Sequence, residues 1–165
     1  MPPQPQTLIL DANAWVPNSP RPVLIYRDAI DTRGDTAAAA EAMFAANGWP
    51  PQWRAGIFDY HHYHTTTHEA LAVVRGSGKL ILGGPDAAEV TVQAGDVLVL
   101  PAGTGHCCKS SSDDFLVVGA YPPHVEWDNR REAPTQEMLA RIATLPFPKS
   151  DPVGGPGGPL PALWA

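Results

Sequence analysis

Between Gly56 and Tyr121 short apolar runs alternate with turn residues, and that alternation constrains the fold more than any other feature of the chain. The runs are Ile57 to Tyr63, Glu69 to Arg75, Lys79 to Leu82, Glu89 to Val92, Val97 to Leu100 and Phe115 to Tyr121. Gly76-Ser77-Gly78, Gly83-Gly84-Pro85, Ala94-Gly95-Asp96 and Pro101-Ala102-Gly103 punctuate them. Each run is too short for a globular helix, and many short strands at this spacing predict an antiparallel sandwich or barrel. A length of 165 residues favours one domain, and a hydrophobic content of 44% is enough to fill its core.

The flanks read differently, because most of the 19 prolines lie in the first and last thirds of the chain. Val23 to Arg27 predicts a short strand. Asp35, the alanine run after it and Gly48 predict a capped helix over about 36–46, with Ala40, Met43 and Phe44 as its buried stripe. In 135–145, Met138, Leu139, Ile142 and Leu145 stand at helical spacing, and Pro146 stops the pattern. The Gly- and Pro-rich tail from Asp151 is expected to be irregular. Its Leu160, Leu163 and Trp164 are expected to dock on this chain or on a second copy.

A net charge of -6 with scattered basic residues argues against nucleic acid as a partner. The first residues show no basic, apolar leader, and no window approaches the roughly 18 apolar residues of a membrane span. A cytoplasmic location is the expectation. Cys107 and Cys108 are adjacent and are the only two cysteines, so no disulfide framework within the chain is expected.

Five of the six histidines fall in DYHHYHTTTHE and GTGH. On an extended segment, residues i and i+2 face the same side. His62 and His64 therefore project together, about 7 Å apart along the strand. A hairpin after Thr65-Thr66-Thr67-His68 would bring the Glu69 carboxylate beside them. The PAGTG turn would set His106 on a neighbouring strand. Three imidazoles and a carboxylate make a nitrogen/oxygen site suited to Fe, Mn, Ni, Co, Cu or Zn, without the thiolates of a structural zinc site.

These residues also fall into two known motifs. Gly56, His62, His64, Glu69 and Gly76 match G-x5-H-x-H-x4-E-x6-G, and Gly95, Pro101, Gly103 and His106 match G-x5-P-x-G-x2-H-x3-N, with Ser110 in place of the asparagine. The chain thus resembles the cupin superfamily, and the run HYHTTTHEAL looks most like a subgroup of small bacterial cupins. The resemblance implies a mainly β fold, the double-stranded β-helix or jelly-roll barrel, spanning about 50–122. Flanking helices and Pro/Gly-rich arms would occupy 1–49 and 123–165. It also implies one divalent transition metal on His62, His64, Glu69 and His106.

Other residues enter as expectations. Tyr60 shares the parity of His62 and His64 and is expected to face the interior, where its hydroxyl would hold substrate or metal-bound water. His68 is expected either as an acid/base group or extra ligand at the barrel mouth, or as a loop histidine bonded to nearby threonines or solvent. Phe58, Leu71 and Val73 are expected to form an apolar wall. Cys108 is expected either to approach the site or to act as a small core hydrophobe. Arg54 and Arg75 are read mainly as exposed or ion-paired. The functional expectation is a metal-dependent enzyme of dioxygenase, isomerase or lyase type acting on a small polar metabolite. The alternatives are a non-catalytic binding or sensing module and a cupin that has lost its metal. Cupin barrels commonly pair by exchanging or adding edge strands, so a homodimer is expected.

Overall fold

A computed structural model describes residues 3–165. Among the described residues, nine strands form two antiparallel sheets. In chain order they are β1 (Gln6–Leu8), β2 (Val23–Tyr26), β3 (Pro51–Ala55), β4 (Glu69–Arg75), β5 (Ser77–Leu82), β6 (Ala88–Gln93), β7 (Val97–Leu100), β8 (His106–Ser111) and β9 (Leu116–Ala120). The larger sheet runs β1-β2-β7-β4-β9-β3, and the smaller runs β6-β5-β8. This arrangement is a jelly roll, as the resemblance implies.

Strand alternation divides the core into two layers. On one side of the larger sheet, Leu71, Val73, Leu98, Leu100 and Val117 meet Leu80, Leu82, Val90, Val92 and Cys108 of the smaller sheet. On the other side, Ala70, Ala72, Val74, Val97, Val99 and Val118 pack against Phe44, Trp49, Leu160 and Trp164. Small residues on β4 let the helix α1 (Thr36–Ala46) approach closely. Asp35 caps that helix by accepting a hydrogen bond from the Ala38 N–H at 3.0 Å, and Ala40 and Phe44 are buried while Met43 is only half-buried.

Two expectations are corrected. Ile57 to Tyr63 is not a strand; it makes only single bridges, His62 to His106 and Tyr63 to Arg130. The regular strand lies earlier, at β3, whose position at the sheet edge tolerates Pro51 at its first residue. The strand expected at Val23 to Arg27 is present as β2, and with β1 it extends the larger sheet beside β7. The tail is partly regular. Asp151, fully buried, accepts from the backbone N–H groups of Val153, Gly154 and Leu160 and from the Tyr26 hydroxyl. These bonds organise a turn that seats α3 (Leu160–Trp164) on the second core layer. Leu160 and Trp164 dock on the chain itself, while Leu163 stays exposed. The third helix, α2 (Gln136–Thr144), lies in the 135–145 stretch as expected; Thr135 caps it, and it buries no residue fully.

No described helix is long and apolar enough to cross a membrane. Both cysteines are free and buried, and Cys108 lies in the inter-sheet core.

Candidate metal centre

The inter-sheet layer ends in polar groups. Glu69 continues the inward row of Leu71 and Val73 on β4, and His106 continues that of Cys108 on β8. Ala70 pairs with Ala120, so one step along the ladder sets Glu69 beside Tyr121. The His62–His106 bridge then lays the 62–64 segment across the same end. The buried side chains of His62, His64 and His106 offer ligand atoms that all lie within 4.8 Å of one another, a cluster able to hold a metal ion.

Each ring is held by its far nitrogen. The Nδ1 atoms of His62 and His106 lie 3.0 Å from the carbonyl oxygens of Tyr60 and Thr104, and that of His64 bonds the carbonyl of Asp128. A carbonyl only accepts, so in the neutral rings Nδ1 carries the hydrogen and Nε2 keeps its lone pair. Backbone carbonyls are common partners for metal-ligating imidazoles. Asp128 is itself tied down by Thr65 and Arg130. Burial works against its charge, but bonds from Thr65 and Arg130 hold its pKa at about 2.

Glu69 closes the group. It is 3% exposed, and Tyr121 donates its hydroxyl to Oε2 at 2.8 Å while accepting from the Trp53 indole N–H at 2.8 Å. Oε1 has no hydrogen-bond partner, yet it stands 3.1 Å from His106 Nε2. Oε2 stands 3.4 Å from His64 Nε2. In neutral rings these are acceptors facing an acceptor, an arrangement that wants a cation or proton between them. The donor set fits a divalent transition metal. Electrostatics separates the rings: it favours a neutral His62 and, with no metal bound, a proton shared between His64 and Glu69. Burial, with His106 adding to it, pulls His62 down to about 3, so that ring is neutral. Burial opposes charge on His64 as well, but Glu69 outweighs it and raises that pKa. Burial likewise opposes charge on Glu69, and the two imidazoles outweigh it, holding the carboxyl well below its usual range. Burial and then the Glu69 charge push the Tyr121 hydroxyl up.

A cavity of about 330 Å³ opens in front of this group, with Trp53, Leu71, Tyr121 and Trp127 among its walls. Gly119 makes the Trp53 wall possible, because a Cβ there would lie 2.1 Å from the indole ring. Phe58 and Leu71 line the cavity as expected, whereas Val73 lies deeper in the core.

Tyr60 and His68 are not where the sequence reading puts them. The Tyr60 ring stacks on Phe58 at 4.7 Å, with the Arg131 guanidinium 3.6 Å from its centroid, and it stays at the rim outside the cavity lining. Its segment is irregular, so strand parity does not apply. His68 shares the parity of Ala70 and faces the opposite core layer, against Trp164. Its Nδ1 accepts from the Ala102 N–H at 2.9 Å, and its Nε2 donates to the Pro146 carbonyl at 3.0 Å. Burial lowers its pKa to about 4. Arg54 pairs with Glu41, and exposed Ser110, the departure from the motif, pairs with Lys79 far from the histidines. The sequence reading missed Trp53, Tyr121, Trp127 and Asp128, which lie outside both motifs and converge only through the fold.

The chain is 36% identical over 162 residues to the uncharacterized protein YjlB of Bacillus subtilis (strain 168), covering 96% of each. Among solved structures it is similar to an acireductone dioxygenase from Bacillus anthracis with cadmium in its active centre, at 17% identity and a TM-score of 0.37, covering 69% of this chain and 57% of that one. It is also similar to Bacillus subtilis oxalate decarboxylase, which has Mn(II) centres, at 17% identity and a TM-score of 0.39, covering 72% of this chain and 29% of that one. The cupin domain family matches residues 50–118, the span that carries β4 to β8 and all four polar groups of the centre. The chain belongs to the cupin family.

Proposed function

We propose that this chain is a metal-dependent cupin enzyme acting on a small molecule, with one divalent transition metal held by His62, His64, His106 and Glu69. The observation that carries this reading is the buried Glu69 Oε1, without a hydrogen bond and 3.1 Å from the lone-pair nitrogen of His106. Bound there, a metal supplies Lewis acidity and a template for substrate oxygen or, when redox-active, for dioxygen. The residues of the chain do the rest. Backbone carbonyls orient the three imidazoles, Tyr121 holds the carboxylate, and Trp53, Leu71 and Trp127 limit water around the reacting atoms.

A binding or sensing role is the second reading, and one observation favours it. Among the described residues lining the cavity, the titratable ones are the four proposed ligands and Tyr121, whose hydroxyl is bonded on both sides. No free general base faces the cavity among them, so turnover would need bound water or substrate to carry the proton. Metal loading followed by oxygen uptake and product analysis separates the readings. Turnover that depends on the metal supports the enzyme, and saturable binding without turnover supports the sensor. The whole chain acts as one domain on this account. Two copies are proposed to pair, since β1 has a sheet partner on one side only; a monomeric mass by light scattering would refute that pairing.

A further inference from the structure

The cavity walls say more than a metal centre needs. Phe58 and Trp127 stand at the rim, 53% and 42% exposed, and both line the same cavity as the three histidines. Trp127 stacks on Tyr121 at 4.4 Å and nearly parallel, so the two form one continuous aromatic surface. Trp53 and Ile57 extend the apolar wall. Large apolar groups gathered around one opening mark a ligand-binding surface more often than chance exposure does.

Charge narrows the class. Among the described residues lining the cavity none is Lys or Arg, and Asn129 supplies the one side-chain amide. The arginines of the adjoining arm do not line the cavity: Arg130 pairs with Asp128 at 2.9 Å, and Arg131 lies over the Tyr60 ring at the rim. A divalent ion with three neutral imidazoles and one carboxylate carries one net positive charge. One negative charge on the ligand neutralises it, while a second would be buried without a counterion.

Resting on the metal reading above, the geometry points to a small aromatic monoanion as the ligand, its oxygen donors on the metal and its ring against Trp127, Phe58 and Trp53. A volume of about 330 Å³ suits a single-ring molecule.

Benzohydroxamate and acetohydroxamate test this, because they share one oxygen-chelating head and differ only in phenyl against methyl. Each is titrated into the full chain loaded with Co(II) and followed by visible absorption. Benzohydroxamate is expected to bind about tenfold more tightly. In Phe58→Ala and Trp127→Ala the ratio falls toward one. A benzohydroxamate bearing a carboxylate on the ring, and so a second negative charge, is expected to bind more weakly than the parent. Equal affinities of the first pair in the wild type overturn the aromatic assignment, whatever the variants do. Tighter binding of the doubly charged probe overturns the charge assignment. Failure to take up Co(II) sinks the metal reading and this inference with it, whereas Co(II) uptake with equal affinities sinks this inference alone.

Discussion

Replacing Tyr121 with phenylalanine removes one oxygen from the cavity wall and two hydrogen bonds with it. The hydroxyl donates to Glu69 Oε2 at 2.8 Å and accepts from Trp53 Nε1 at 2.8 Å. A bond to a buried carboxylate is worth roughly 1.5–3 kcal/mol and a neutral one about 1 kcal/mol. Tyr121→Phe should therefore destabilise the metal-free protein by about 3 kcal/mol at neutral pH, read as a lower urea midpoint with an unchanged slope. Trp53→Phe removes only the second bond and should cost about 1 kcal/mol for it, beyond any loss of packing. The double variant should cost less than the sum, because both changes delete the same bond. The hydroxyl also orients a proposed ligand, so metal affinity should fall by roughly 10–100-fold. A change below about 0.5 kcal/mol, typical of a neutral surface site, together with unaltered metal affinity, would refute the claim that Tyr121 holds Glu69 in place.

Gly119→Val should cost several kcal/mol and shift the tryptophan emission, since its Cβ would meet the Trp53 ring at 2.1 Å; an unchanged melting temperature would contradict the close approach. Protonating His68 requires breaking its bond from Ala102, and its folded pKa of about 4 lies below its ordinary 6.5. The unfolded state therefore binds more protons between those values, so a contribution of about 3 kcal/mol is complete above about pH 6.5 and is lost as pH falls toward 4. His68→Gln should flatten that part of the stability–pH profile, and an equally steep profile would count against it. Asp151→Ala leaves the Tyr26 hydroxyl and three backbone N–H groups without their acceptor. It should cost roughly 3–5 kcal/mol and expose the C-terminal segment to proteolysis, and wild-type resistance would show that the segment is held by other contacts.

Much of the centre was legible because it follows from period-two alternation. The strand expected from Glu69 to Arg75 is β4 residue for residue, and its parity sends the Glu69 side chain inward. The helix over 36–46 was legible from Asp35 and the alanine run. The same alternation misled where the backbone is irregular. His62 and His64 converge across single bridges rather than within a strand, and Tyr60, in that irregular stretch, is captured by Phe58 and Arg131. His68 lies in a stretch with the composition of a loop, yet the β4 parity extended back by one residue turns it toward Ala70 and away from Glu69. Trp53 and Tyr121 meet Glu69 only through the β3-β9-β4 order, and Trp127 and Asp128 lie in the irregular stretch after β9, so no local pattern announces these contacts. Docking of the tail was legible in its apolar Leu160 and Trp164, but its local order was not, because that order comes from one buried carboxylate while the composition is that of a loop.

The central claim is that His62, His64, His106 and Glu69 hold one transition metal. Its most direct test is elemental analysis of the protein purified without chelator, beside His106→Ala. The account predicts about one metal per chain in the wild type and little or none in the variant. A wild type that carries no metal and takes up none under anaerobic reconstitution would contradict it, as would a variant that keeps its full complement.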